Sequence, residues 1–185
     1  MSQINDILEE YINLETEVGQ LMSHLFHDIC GLCTACCCRA DICEEALHSA
    51  FLSQLLEKQG LSECQMDDRF GWLDTAGCLL KYGRPPICYA YYCDQLLERL
   101  ANDEVRHAVT LLGNLMDHVG EDALGDWHLV EIQETEELEK VDWTPIHQRI
   151  EEARAALEVI IEYLQSERLS SSDREILATI CVREM

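Results

Sequence analysis

The sequence is short of positive charge: 13 lysines and arginines stand against 36 aspartates and glutamates, for a formal net charge of −23. A field of that sign repels phosphate backbones and anionic headgroups, so neither nucleic acid nor a membrane surface is an expected partner. Long apolar runs are lacking too. No stretch approaches the roughly 18 consecutive apolar residues of a membrane-spanning helix. The opening MSQINDILEEYINLETEVGQ carries acids where a secretory signal has a basic segment and then an apolar core. Together these absences predict a cytoplasmic protein. No internal repeat and no low-complexity linker divides the chain, and no isolated carboxylate pair stands out for acid–base catalysis.

What the chain does have is enough apolar side chain to fold and an excess of sulfur. Apolar residues make up 48% of the 185 positions and charged residues 26%, the balance of a packed protein. That length predicts a single domain over 1–185. There are 11 cysteines, and the stretch CGLCTACCC, 30–38, puts five of them in nine positions. A packed core has no reason to collect thiols on one loop. In a reducing cytosol, such thiols read as metal ligands and not as disulfide partners.

Hydrophobic periodicity predicts an all-α, mainly helical fold: a bundle-like domain with an irregular cysteine-rich segment at 30–93 and a helical portion at 102–185. Ile4, Leu8, Tyr11, Leu14, Val18, Leu21 and Leu25 recur at steps of three and four, one face of a long first helix that delivers the chain to Cys30. Asp41 and Glu44 have capping-box spacing ahead of Leu47, Phe51 and Leu55, which predicts a second helix ending at Gly60. Residues 61–88 are broken by Gly71, Gly77, Gly83, Pro85 and Pro86 and read as irregular. A helix resumes near Tyr89 and passes Leu96 and Leu100. Asn102 caps the next, which carries Val105, Val109, Leu112, Met116 and Val119 to Gly120. DWHLVEIQ, 126–133, reads as a short strand or extended linker. Thr144–Pro145 starts a long helix whose apolar face is Ile146, Ile150, Ala153, Leu157, Ile160 and Leu164. Ser172 and Glu175 repeat the capping-box spacing before a terminal helix.

Cys30, Cys33 and Cys36 form CxxCxxC, and a turn with two intervening residues can aim successive sulfurs at one point, as zinc knuckles and iron–sulfur loops require. Cys36, Cys37 and Cys38 are adjacent, and neighbouring side chains point apart, so either there are two centres or one of the three is a spectator. A second group, Cys78, Cys88 and Cys93, lies in GCLLKYGRPPICYAYYC, where Pro85 and Pro86 preset the backbone ahead of Cys88. Cys88 and Cys43 fall in the first turns of expected helices, where the helix dipole favours thiolate. Cys93 also suits a buried apolar role beside Leu96 and Leu97, and Cys181 beside Ile180 reads as packing. His24 and His27, three apart, share a face near the loop. Arg84 is placed to act as a cation outside a thiolate centre, and Tyr89, Tyr91 and Tyr92 are placed to wall it off.

Two of these motifs in order, Cys30, Cys33, Cys36 and Cys37 and then Cys78, Arg84, Pro85 and Cys88, resemble the CxxCxxCC family, a zinc- or iron-chelating domain with eight characteristic cysteines. The chain departs from it in three places. Cys38 is extra, Tyr89 stands where an arginine commonly follows, and a cysteine expected before Cys78 is replaced around Gly71 to Leu73, with Cys64 the nearest substitute. The expected ligands are Cys30, Cys33, Cys36, Cys37, Cys43, Cys78, Cys88 and Cys93. All-sulfur ligation suits an iron–sulfur cluster and zinc alike; the overlapping CxxCxxC favours the cluster, while the missing Cys-Pro of ferredoxins does not. The expected role is redox, metal sensing or metal handling. The cysteine motifs are also similar to those of flagellin lysine methylases, which implies a cluster-dependent protein-modifying enzyme as an alternative, although no GxGxxG loop for S-adenosylmethionine is present. An acidic interaction module around a structural zinc is a third possibility, and a protein partner is left unnamed.

Overall fold

The computed structural model describes residues 3–30, 37–74 and 77–180, and these are mainly helical. Helix α1 runs Gln3–Cys30 and buries Ile7, Leu8, Tyr11, Leu14 and Val18 along one stripe, as its periodicity predicts. Three short helices follow, α2 (Ala40–Cys43), α3 (Glu45–His48) and α4 (Ala50–Gln59). A hairpin of β1 (Leu73–Asp74) and β2 (Gly77–Cys78) pairs Leu73 with Cys78 and Asp74 with Gly77. Then come the single turns α5 (Ile87–Ala90) and α6 (Asp94–Leu97), the long α7 (Asp103–Gly120), the turn α8 (Thr135–Leu138), the long α9 (Trp143–Ser166) and α10 (Ser171–Leu177). Helices α1 and α7 both pack on α9, and α5 packs on α7. One core cluster gathers apolar side chains from Ile7 to Ile180. Each of its fully buried leucines and aromatics contributes about 1.5–3 kcal/mol.

Several boundaries differ from the sequence expectation, each for a tertiary reason. The single helix predicted from Asp41 to Gly60 is three pieces. Asp41 pairs with Arg39 at 2.5 Å instead of capping. Ser49 turns extended, takes the Leu52 amide on its hydroxyl, and lets the Ala50 amide donate to the Ile132 carbonyl at 2.8 Å. The helix expected from Tyr89 past Leu100 is likewise cut at Tyr91–Cys93, where the backbone is extended. Residues 126–133 contain no strand. His128 caps a 3₁₀ turn at Leu129–Glu131, its Nδ1 accepting from the Val130 amide at 3.2 Å. The terminal capping box is Ser170 with Asp173, two residues earlier than predicted, and Asp142 caps α9. Asn102 caps α7 as expected, accepting from the Val105 amide at 2.8 Å.

The cut between α5 and α6 is held by α7. Tyr92 donates its hydroxyl to the Val109 carbonyl at 2.8 Å, and Gly113 makes room: a Cβ there would lie 2.6 Å from the Tyr92 hydroxyl and 2.7 Å from the Tyr89 carbonyl oxygen. In an open helix Gly→Ala gains about 1 kcal/mol. Here overpacking against a backbone oxygen dominates, at about 1–3 kcal/mol. Gly113→Ala is therefore expected to lower the thermal midpoint, and a rise in scanning calorimetry would refute the close packing of α5 on α7.

Candidate metal centre

Three separate segments bring cysteines to one cleft of about 610 Å³. Cys37, Cys38 and Cys43 come from the approach to α2 and its end, Cys78 from β2, Cys88 from α5 and Cys93 from the start of α6. Met22 and Phe26 of α1, with Leu80 and Leu96, form apolar wall, and Arg84 brings a cation. Cys43, Cys64, Cys78, Cys88 and Cys93 carry free thiols.

Local structure explains each placement. Cys43 is buried against Gly71, which has φ +62°; a Cβ at residue 71 would stand 2.3 Å from the Cys43 sulfur. Only a residue without a side chain permits that approach, and the next backbone N–H, that of Trp72, donates to the Cys43 sulfur. The hairpin then sets Cys78 opposite Leu73, one residue on from Trp72. Pro86, at φ −53°, starts α5, and the Cys88 amide donates to the Pro85 carbonyl at 2.9 Å.

The RPPIC segment is tied to α1 by a buried carboxylate. Glu15, fully inaccessible, accepts from the Gly83 amide at 2.6 Å, the Arg84 amide at 2.9 Å and the Tyr89 hydroxyl at 2.7 Å. The Arg84 side chain donates through Nε to the Leu80 carbonyl at 3.0 Å and lies 5.9 Å from the centre of the Tyr89 ring. Burial raises the Glu15 pKa, and the three hydrogen bonds and the Arg84 charge offset only part of that.

Burial holds the Cys88 and Cys43 thiols protonated when no cation is present. The Cys88 residue reaches solvent, yet protein surrounds its thiol. Its pKa is pushed up to about 12, chiefly by burial and then by Cys43 and Cys78, against the pull of Arg84. Burial raises Cys43 as well. This corrects the expectation that helix dipoles favour thiolate there. Helices α2 and α5 have four residues each, and desolvation dominates. For Arg84, burial disfavours the charge, but Tyr89, Cys78, Glu15 and Cys88 more than compensate and its pKa is raised.

Of the eight expected ligands, Cys37, Cys43, Cys78, Cys88 and Cys93 line this cleft, joined by Cys38. Cys30 ends α1, its backbone alone being described; Cys33, Cys36 and the predicted packing residue Cys181 lie outside the described residues. Cys64 is elsewhere, exposed and 3.1 Å from the Ser62 hydroxyl. His24 and His27 are exposed, and Met22 and Phe26 present α1 to the cleft instead. Tyr91 and Tyr92 line the cleft, whereas Tyr89 is turned into the core by Glu15. Among the described residues no three His, Cys, Asp or Glu side chains stand close enough to hold a metal ion as placed.

Sequence reasoning passed over Glu15 and Trp72, and read Gly71 as a break in periodicity and not as the close approach to Cys43. Glu15 carried a signal: it falls four residues after Tyr11 and three before Val18, on the apolar stripe itself. No family model matches the chain, and neither a curated protein nor a solved structure shows significant similarity to it.

Two substitutions test this framework. Glu15→Ala strands three donors and is expected to cost about 2–5 kcal/mol in urea unfolding. Because the folded-state pKa of Glu15 is raised, its favourable contribution is fullest below the ordinary carboxylate value and declines as pH rises through the folded value. The stability of the wild type relative to Glu15→Gln should therefore fall from about pH 4 upward; an increase would contradict the buried site. Gly71→Ala should destabilise by about 2 kcal/mol or more, from the contact with Cys43 and the positive φ together.

Proposed function

We propose that the chain is a metal-binding protein that holds an iron–sulfur cluster or zinc through cysteine thiolates, in a redox or metal-handling role. The observation that carries this is the convergence of Cys37, Cys38, Cys43, Cys78, Cys88 and Cys93, from three segments, on one cleft. The donor set fits such a group. It is all sulfur, as both zinc and clusters accept, and one sulfur already receives a backbone N–H from Trp72. A guanidinium stands within electrostatic reach of Cys78 and Cys88. A cation is what buried thiols need in order to lose their protons, so binding releases protons and ties the hairpin, α2 and α5 to α1. Cys30, at the end of α1, with Cys33 and Cys36 after it in the sequence, completes the proposed ligand pool, and the resemblance to the CxxCxxCC family points the same way on motifs alone.

Anaerobic purification, elemental analysis and a visible spectrum test it. Iron with sulfide and a brown colour identify a cluster, and zinc without colour identifies a zinc site. Cys43→Ser, Cys78→Ser and Cys88→Ser should each weaken retention by more than the roughly 10–100-fold typical of outer-shell changes, while Cys64→Ser, outside the cleft, should change nothing. Chelation should lower the helical circular dichroism and the melting temperature. Protein that takes up neither zinc nor iron with sulfide after anaerobic reconstitution would overturn the proposal.

A further inference from the structure

Trp72 presents a polar atom that the fold leaves unanswered. Its side chain is fully buried, lines the cysteine cleft, and has an indole Nε1–H with no hydrogen-bond acceptor among the described residues. Burying such a donor costs about 1–3 kcal/mol, which a phenylalanine of similar shape would avoid. The residue is closely fixed: its amide donates to the Cys43 sulfur, its carbonyl accepts from the Leu79 amide at 2.8 Å, and Gly71 and Leu73 on either side touch Cys43 and pair with Cys78. The side-chain acceptors that share its cleft are the cysteine sulfurs and the Tyr91 and Tyr92 hydroxyls, of which the Tyr92 hydroxyl is held on the Val109 carbonyl. A neutral thiol accepts weakly, whereas a metal-bound thiolate or an inorganic sulfide carries negative charge and accepts a charge-assisted hydrogen bond.

Resting on the metal-centre proposal, we infer that the Trp72 indole Nε1–H donates a hydrogen bond to a sulfur of the loaded centre, making Trp72 a positioning residue that raises metal affinity and draws charge from that sulfur. Outer-shell donors to metal ligands are worth about 10–100-fold in affinity. The role differs from packing because it exists only in the loaded state.

The test uses Co²⁺ as probe, titrated anaerobically into the full-length metal-free protein against a competing chelator. Trp72→Phe is expected to bind Co²⁺ about 10-fold or more weakly. Its sulfur-to-cobalt charge-transfer band should move to lower energy, and its metal-free form should be at least as stable as the wild type. Equal affinity with an unmoved band would overturn the inference, as would a loss of stability that is the same with and without metal. A measurement on the wild type covers a variant that does not fold. In ¹⁵N-indole spectra the chain's three tryptophans give three N–H signals, and on Zn²⁺ addition the Trp72 proton should move downfield. A Trp72 signal unmoved by saturating Zn²⁺ would overturn the inference while leaving the centre intact. Wild-type protein that binds Co²⁺ without a sulfur charge-transfer band removes the thiolate centre itself, and the inference with it.

Discussion

The buried carboxylate of Glu15 joins the long first helix to the segment that carries Arg84 and Cys88. Its oxygens take two consecutive backbone amides, Gly83 and Arg84, and the Tyr89 hydroxyl. Consecutive amides converging on one carboxylate fix the direction of the backbone between them, so the two prolines that follow leave α1 at a set angle. A charge sealed from water is costly unless its hydrogen bonds are made, and the loop cannot drift without losing them. The position of the second cysteine group therefore depends on an acid 63 residues earlier than Cys78 in the chain, as their numbers give.

Around that anchor the cleft is assembled from backbone close approaches more than from regular structure. Gly71 lets the chain pass against the Cys43 sulfur, and Gly113 lets the turn after α5 lie on α7. Short helices and a two-residue hairpin supply few repetitive hydrogen bonds, so residues 61–93 owe their shape to such contacts and to the walls that α1 and α7 provide. A bound cation would act on that same segment, exchanging thiol protons for shared coordination. The electrostatics are consistent: burial and neighbouring thiols raise Cys43 and Cys88, and Arg84 is a nearby positive charge that favours the ionised form of Cys88.

The scaffold and the site place opposite demands on sequence. In α7 and α9, apolar side chains at helical spacing fill a common core, with the acids outside. The acids of 131–142 follow this pattern: Leu138 is buried, while Glu134, Glu136 and Glu139 are exposed. At the cleft and behind its wall, polar groups are instead placed inside: the Trp72 indole N–H, without an acceptor among the described residues, and the Glu15 carboxylate, whose burial three hydrogen bonds offset.

What the sequence by itself determined is periodic or local. The stripes of α1, α7 and α9, the Asn102 cap and the mainly helical class follow from spacings of three and four and from one side chain reaching its own helix end. The grouping of cysteines into an early and a late set was legible for the same reason. Only the tertiary structure decided which elements break, because Ala50, Tyr92 and His128 answer to partners distant in sequence: the Ile132 carbonyl, the Val109 carbonyl of α7, and the Asp117 carbonyl, 2.8 Å from the His128 Nε2. It also separated Cys64 from the cleft and turned Tyr89 away from it. Glu15 gained its role only once chain folding had brought Gly83 to it, since nothing in a run of residues states which amides will meet a buried acid.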